Sequence, residues 1–154
     1  MAAGRFLSAS VAEDERLNGL SVEAQMLYLM AIPHLDRDGL INGNASVFMG
    51  RVCPLRPELT AKAQSLIQEW VDTGLVLKYS TGEGTALWFK GFSKNNPLAH
   101  YHREKASRFV APPGYVRGDK GLIPEDAKPK ADPTQTSNDS DGGLPEESGI
   151  LPEE

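Results

Sequence analysis

The stretch that decides the fold is residues 60–92, TAKAQSLIQEWVDTGLVLKYSTGEGTALWFKGF. Its first part, residues 60–73, carries apolar side chains at helical spacing, and Thr60 is a candidate N-cap. Gly74 follows, at a position where helices commonly end in a left-handed residue. Two β-rich runs, residues 75–79 and 85–92, flank a Gly-containing turn and predict a hairpin. We therefore expect a helix that leads directly into a β-hairpin.

A second amphipathic helix is expected before this stretch, over residues 22–35. Its apolar residues share one face, and Ser21 is placed to accept a hydrogen bond from a free N–H group of the first turn. Pro33 should end or kink the helix early, because proline removes a backbone donor and clashes with the preceding turn.

Shorter elements connect these two helices. Residues 36–39, Asp-Arg-Asp-Gly, predict a turn, and Leu40-Ile41 predicts a brief strand. Residues 45–53 predict a short helix that ends before Pro54. The predicted order is thus helix, strand, helix, helix and hairpin. This is the order of a winged helix-turn-helix domain, an α+β fold of three helices with a hairpin as the wing.

Charge is distributed unevenly along the 154 residues. Residues 1–121 hold 14 Lys and Arg against 12 Asp and Glu, whereas residues 122–154 hold 2 against 9. The net charge of −5 therefore belongs to the C-terminal part, and the rest is mildly basic. Residues 122–154 also lack aromatic residues and apolar periodicity, so they cannot bury enough surface to offset the entropy of ordering. We predict a domain over residues 1–121, with a basic extension over about residues 93–121, and a disordered acidic tail over residues 122–154.

Three segments of this chain resemble a known family. They are RFLSASVAEDERLNGLSVEAQMLYLMAIPHLDRDGLINGN (5–44), EWVDTGLVLKY (69–79) and LWFKGFSKNN (87–96). They resemble the N-terminal winged-helix domain of phage replisome organisers and related DnaD-like replication-initiation proteins, over residues 5–124. The resemblance implies a phage-type protein that binds double-stranded origin DNA in replication initiation. It also implies a helicase or helicase-loader partner, which in this chain would be engaged through the tail.

The predicted recognition helix, residues 60–73, leaves Lys and Gln side chains off its apolar face, and these can hydrogen-bond to base edges in the major groove. Basic residues in the turn before it, in the hairpin and in the extension after Phe92 can neutralise phosphates. That extension also interleaves aromatic residues, so it can lie along DNA or pack back on the domain, and the two are compatible. The candidate DNA-binding residues are Arg51, Arg56, Lys62, Gln64, Ser65, Gln68, Lys78, Lys90, Lys94, Arg103, Lys105 and Arg108.

Aromatic residues on the apolar faces are expected in the core. Trp70 lies on the apolar face of residues 60–73. Side chains alternate along a strand, so Trp88 and Phe89 should point to opposite faces of the sheet. One of the two is then partly exposed or covered by the C-terminal extension.

The sequence has no pattern typical of catalysis or metal binding. His100 and His102 are only two ligands, whereas zinc sites use three or four, and Cys53 is the single cysteine. Asp36 and Asp38 are explained by the turn that Gly39 completes. We therefore expect a protein that is not an enzyme and needs no cofactor.

The expected setting is the bacterial cytoplasm. One cysteine allows no intrachain disulfide, which fits a reducing compartment. No signal peptide is evident, and the longest apolar stretch, residues 26–33, is too short to cross a bilayer, so no membrane partner is expected. Two other functions fit the same pattern: a winged-helix transcriptional regulator, and a protein–protein adaptor that uses the domain and its acidic tail. Binding to DNA repeats would also favour a homo-oligomer.

Overall fold

Six short helices and five strands are present in the part of the chain that the structure, a computed structural model, describes: residues 4–98 and 100–127. The fold is mixed α+β with two small antiparallel sheets. The helices are α1 (Glu15–Asn18), α2 (Val22–Ala31), α3 (Ala45–Val52), α4 (Pro57–Thr60), α5 (Ala63–Asp72) and α6 (Phe92–Asn95). The strands are β1 (Leu40–Asn42), β2 (Val76–Ser80), β3 (Thr85–Phe89), β4 (Tyr115–Gly118) and β5 (Gly121–Pro124).

The predicted start of α2 is confirmed, and the helix ends before residue 35, as Pro33 predicts. The Ser21 side chain accepts a hydrogen bond from the Ala24 N–H, as expected of an N-cap. The Glu69 carboxylate from α5 accepts hydrogen bonds from both the N–H and the hydroxyl of Ser21, at 2.9 and 2.7 Å. At the other end, α2 stops at Ala31 and a 3-10 turn containing Pro33 follows.

The helix before the hairpin begins later than predicted. The sequence places its N-cap at Thr60, but Thr60 is the last residue of α4, and α5 begins at Ala63 without a side-chain cap. Pro57 opens a separate helical turn because proline suits the first helical position. The predicted end is correct: Gly74 follows α5 with a positive φ of 79°.

The main sheet has the strand order β1-β3-β2, with both pairings antiparallel. The β3 strand is central, and Trp88 lies opposite Leu40 on one side and Leu77 on the other. The predicted final strand, residues 85–92, is too long, because the chain leaves the sheet after Phe89 and turns into α6. The hairpin itself and its turn at residues 81–84 are confirmed.

Both faces of this sheet are covered. Ile41, Val76, Leu87 and Phe89 face α2, α3 and α5, whose core is centred on Trp70. Leu40, Tyr79, Ala86 and Trp88 form a second cluster on the opposite face, against Phe109, Tyr115 and Leu122. Trp88 and Phe89 therefore point to opposite sides, as predicted, and Trp88 is covered by an edge-on contact with Tyr115 at 4.5 Å.

The cover on the second face is the C-terminal arm, residues 100–127. It carries the β4–β5 hairpin, in which Val116 pairs with Ile123. The predicted boundary after Gly121 is wrong, since residues 121–124 form β5 and residues 125–127 a 3-10 turn. Leu122 and Ile123 are a short apolar pair within an otherwise polar segment, and they gain their burial from β4 and the sheet. Residues 128–154 of the predicted tail lie outside the described residues.

Trp70 is the centre of the larger core. It is fully buried, with ring contacts to Tyr28, Phe48 and Phe89 at centroid distances of 5.7 to 5.8 Å. Its indole N–H donates to the Ala24 carbonyl at 2.9 Å, so the buried polar atom is satisfied. These contacts fix α5 against α2, α3 and the sheet.

Candidate nucleic-acid interface

One face of α5 is polar and uncovered. Gln64, Ser65 and Gln68 are exposed on it, while Leu66, Ile67 and Trp70 point into the core. The Ser65 hydroxyl donates to the Lys62 carbonyl at 2.9 Å, and the Gln68 amide donates to the Asp72 carboxylate at 2.8 Å. The predicted contact residues of α5 thus share a solvent-facing surface.

Lys62 forms an ion pair across to α2. Its Nζ lies 3.3 Å from Oε1 of Glu23, and both side chains are about half exposed. An exposed pair of this kind is weak, because water and salt screen it. Lys62 can therefore exchange Glu23 for another anion at little cost.

The other cations predicted near α5 and the hairpin lie separately. Arg56 is the exposed N-cap residue of α4, in the connection between α3 and α5. Lys78 is exposed in the middle of β2, opposite Leu87, and Lys90 is exposed just after β3. Lys94 is exposed on α6, so these four residues belong to four different segments of the chain.

The structure does bring together the other four predicted cations. Arg51, Arg103, Lys105 and Arg108 line a cleft of about 440 Å³ between the start of the C-terminal arm and the segment that leads from α2 to β1. We call it the basic cleft. Its charged lining residues are Arg5, Arg37, Arg51, Arg103, Lys105, Arg108, Asp36 and Glu104.

Arg5 and Glu104 form one wall of the basic cleft. Two guanidinium nitrogens of Arg5 donate to the two carboxylate oxygens of Glu104, at 2.6 and 2.8 Å, and a third hydrogen bond reaches the Leu35 carbonyl at 3.1 Å. The Arg5 side chain is only 4% exposed. These hydrogen bonds lower the pKa of Glu104, because they stabilise its charged form. The pair holds the arm against the body of the protein.

Arg37 forms the floor beside it and donates only to main-chain carbonyls. Its Nη1 lies 3.3 Å from the Glu104 carbonyl oxygen and 3.5 Å from that of Tyr101, and its guanidinium lies 4.4 Å from the centre of the Tyr101 ring. The Arg37 Nε is buried without a hydrogen-bond partner among the described residues. Its direct contacts are thus with carbonyl oxygens and a ring, and its positive charge also helps to lower the pKa of Glu104.

Two titratable groups at the cleft are shifted by burial. Burial, with the nearby charge of Arg51, lowers the pKa of His34, and its Nδ1 has no partner in the described part of the chain. Burial raises the pKa of Asp36, although its Oδ1 accepts hydrogen bonds from the N–H groups of Asp38 and Leu40. Those two hydrogen bonds confirm the predicted turn at residues 36–39.

A second buried network ties the arm to the same turn. Asp38 is fully buried and accepts a hydrogen bond from the Tyr101 hydroxyl on Oδ1 and from Arg117 Nε on Oδ2, the latter at 2.9 Å. Burial, together with this carboxylate, raises the pKa of Tyr101 to about 12. Tyr79 adds a hydrogen bond to the Val110 carbonyl at 2.6 Å. The C-terminal arm therefore packs back on the domain, as one of the two sequence alternatives predicted.

Sequence reasoning missed Arg5 and Arg37 as members of a site. Arg37 falls in the predicted turn, and Arg5 lies before the first predicted helix. No local pattern identifies them, because their partners Glu104 and Tyr101 lie 64 to 99 residues away in the chain. The interleaving of basic and aromatic residues after Phe92 was the one indication that this region serves more than surface solvation.

Metal-ligand clusters and membrane-spanning helices are features typical of other classes of protein. Within residues 4–98 and 100–127, no three His, Cys, Asp or Glu side chains are grouped as metal ligands would be. His100 and His102 are exposed on the arm. None of the described helices has the length and apolar character needed to cross a membrane.

Comparisons with known proteins returned no match, whether with protein-family models, with curated protein sequences or with solved structures. The resemblance of residues 5–124 to phage replisome organisers therefore stays a prediction from the motifs quoted above.

Proposed function

We propose that the described residues form a winged helix-turn-helix domain that binds double-stranded DNA, and that the protein acts by binding rather than by catalysis. The observation that carries the proposal is the arrangement of α2, α3 and α5, which pack on one another while β1 pairs with β3 of the hairpin. In this arrangement α3 and α5 are the helix-turn-helix, α5 is the recognition helix and the β2–β3 hairpin is the wing.

The chemistry of α5 supports this role. The major groove admits an α-helix, and residues in the N-terminal half of a recognition helix usually reach the base edges. Gln64 and Ser65 are exposed in the first turn of α5, where they can donate to and accept from bases. Glu69 is held at the start of α2, and so it does not oppose phosphates on this face.

Phosphate contacts would come from cations around α5. Arg56 lies in the connection before it, and Lys62 precedes its first residue. Lys78 and Lys90 belong to the proposed wing. Such contacts supply salt-dependent, sequence-independent affinity, while base contacts supply specificity.

For the biological role we propose phage-type replication initiation in the cytoplasm, which rests on the resemblance of residues 5–124 to replisome organisers. A transcriptional regulator would use the same surface of α5. Neighbouring genes for helicase or single-strand-binding proteins would favour a role in replication over a role in transcription.

A protein–protein adaptor, in contrast, would show no affinity for DNA. A helicase or loader partner of the tail falls in residues 128–154, outside the described part of the chain, and self-association would follow from binding to repeated sites.

A salt-titrated anisotropy assay with a labelled mixed-sequence duplex tests DNA binding. The wild type should bind at low salt, with log K falling linearly as log salt rises. Arg56→Ala and Lys62→Ala should each make this slope shallower by about one unit. The double variant Gln64→Ala with Ser65→Ala should leave the slope unchanged but alter the preferred sequence in a selection from random duplexes.

The control is Arg16→Ala, which removes an exposed arginine from α1, away from the proposed recognition helix and wing in the chain. It should bind as the wild type does. Absence of binding at low salt would refute the proposal. Equal losses in Arg16→Ala and Arg56→Ala would refute it too, because they would indicate only a general effect of charge.

A further inference from the structure

The basic cleft has more positive charge than its own carboxylates can balance. Six cations and two carboxylates line it. Glu104 is already engaged by two hydrogen bonds from Arg5, and Asp36 accepts two backbone N–H groups. Across residues 4–98 and 100–127, no carboxylate lies within ion-pair distance of Arg37, Arg103, Lys105 or Arg108. This unbalanced charge is concentrated in one concave place.

Three of these cations are open to the cleft: Arg103, Lys105 and Arg108 are exposed and line it. The Nε atoms of Arg5 and Arg37, the Nδ1 of His34 and the Oδ2 of Asp36 are buried without a hydrogen bond among the described residues, so they are closed to an occupant of the cleft. An occupant rich in acceptor oxygens would accept hydrogen bonds from the three exposed side chains and neutralise their charge.

We infer that the basic cleft binds the phosphate group of a nucleotide, either free or as a unit of a single-stranded nucleic acid. Guanidinium groups match phosphate oxygens with paired, charge-assisted hydrogen bonds. The volume, about 440 Å³, falls within the range of small-molecule sites, and the half-buried Phe109 gives the sugar or base an apolar wall. Walls on both sides, from residues 34–41 and from residues 103–109, favour a single nucleotide unit over a duplex.

This site is distinct from the proposed duplex interface. None of Lys62, Gln64, Ser65 or Gln68 lines the basic cleft. Its lining comes instead from the N-terminal segment, the turn after α2, the end of α3 and the C-terminal arm. The inference thus goes beyond the proposed function and can succeed or fail separately from it.

The test uses the full chain with two probes at matched ionic strength: deoxyadenosine monophosphate by calorimetry, and a short labelled single-stranded oligodeoxynucleotide by anisotropy. The variant is Arg103→Ala with Lys105→Ala, two exposed side chains of the cleft. The matched control is Arg16→Ala with Lys120→Ala, which removes the same charge from exposed positions outside both the basic cleft and the proposed duplex interface. Thermal melting checks that both variants remain folded.

Saturable binding of either probe that weakens roughly tenfold or more in the cleft variant, but not in the control, supports the inference. Binding of the mononucleotide identifies a free nucleotide as a sufficient ligand, and binding of the oligonucleotide alone identifies the strand. Failure of both probes to bind overturns the inference, and so does an equal loss in the two variants. The Gln64→Ala with Ser65→Ala variant should bind either probe as the wild type does, whatever it does to duplex binding.

Discussion

Replacing Arg117 by methionine should release the C-terminal arm. Arg117 Nε donates to Asp38, whose carboxylate is fully buried and otherwise holds one neutral donor, the Tyr101 hydroxyl. Removing one member of a buried ion pair costs about 3–5 kcal/mol, because a charge is left without compensation. The Arg117 side chain is 33% exposed, so the lower end, about 3 kcal/mol, is expected.

Urea denaturation followed by tryptophan fluorescence measures this loss. The chain has two tryptophans: Trp88 contacts Tyr115 of the arm, and Trp70 lies in the helical core. In Arg117→Met the Trp88 environment should change at lower urea than the core transition. If the whole arm detaches in one step, the loss of stability in Arg117→Met cannot exceed the free energy with which the arm packs on the domain.

A double-mutant cycle separates the ion pair from general damage to the arm. Adding Asp38→Asn to Arg117→Met removes the uncompensated charge. The double variant should therefore lose less stability than the two single variants lose in sum, by about 0.5–3 kcal/mol. The matched control is Arg108→Met, since Arg108 lies in the same arm and stacks over Phe109; it should cost about 1 kcal/mol or less. Strict additivity, or a loss in Arg117→Met no larger than in Arg108→Met, would refute the reasoning.

Three further substitutions test the packing of the turns and the contact between Arg5 and the arm. Gly39→Ala should cost about 2–4 kcal/mol in urea denaturation, because φ is +80° and the new Cβ would lie 2.6 Å from Phe92 Cβ. Gly82→Ala has similar backbone strain (φ +84°) but lies in open space, so it should cost about 1–2 kcal/mol. Equal losses of stability in Gly39→Ala and Gly82→Ala would exclude a clash with Phe92. Arg5 lowers the pKa of Glu104 in the folded protein. Ionised Glu104 therefore stabilises the folded state above about pH 4.3, the pKa of an unperturbed Glu, and this contribution is lost as pH falls through its lower pKa in the folded protein. Glu104→Gln should flatten this part of the stability–pH curve, and an unchanged curve would contradict the assignment.

Much of the local structure could be predicted because its causes are local. Ser21 and Pro33 set the two ends of α2, and Gly74 ends α5, through hydrogen bonds and backbone angles within a few residues. Alternation along β3 placed Trp88 and Phe89 on opposite faces correctly. The three errors of boundary have a different origin. The start of α5, the end of β3 and the end of the ordered arm depend on which short segments find a surface to pack against.

One part of the candidate site could also be predicted from local sequence, and the other part could not. The exposed polar residues of α5 follow from helical spacing, so the sequence alone determined which side chains a recognition helix would present. The basic cleft does not follow from spacing, because it joins Arg5, Arg37 and Arg51 to residues 103–108, far away in the chain. Coulomb energy and hydrogen bonding act over a few ångströms of space, whatever the separation in sequence. The sequence therefore determined α2, α3, α5, the three strands of the main sheet and the amount of positive charge. Only the packing of the arm on the sheet decided where that charge is concentrated.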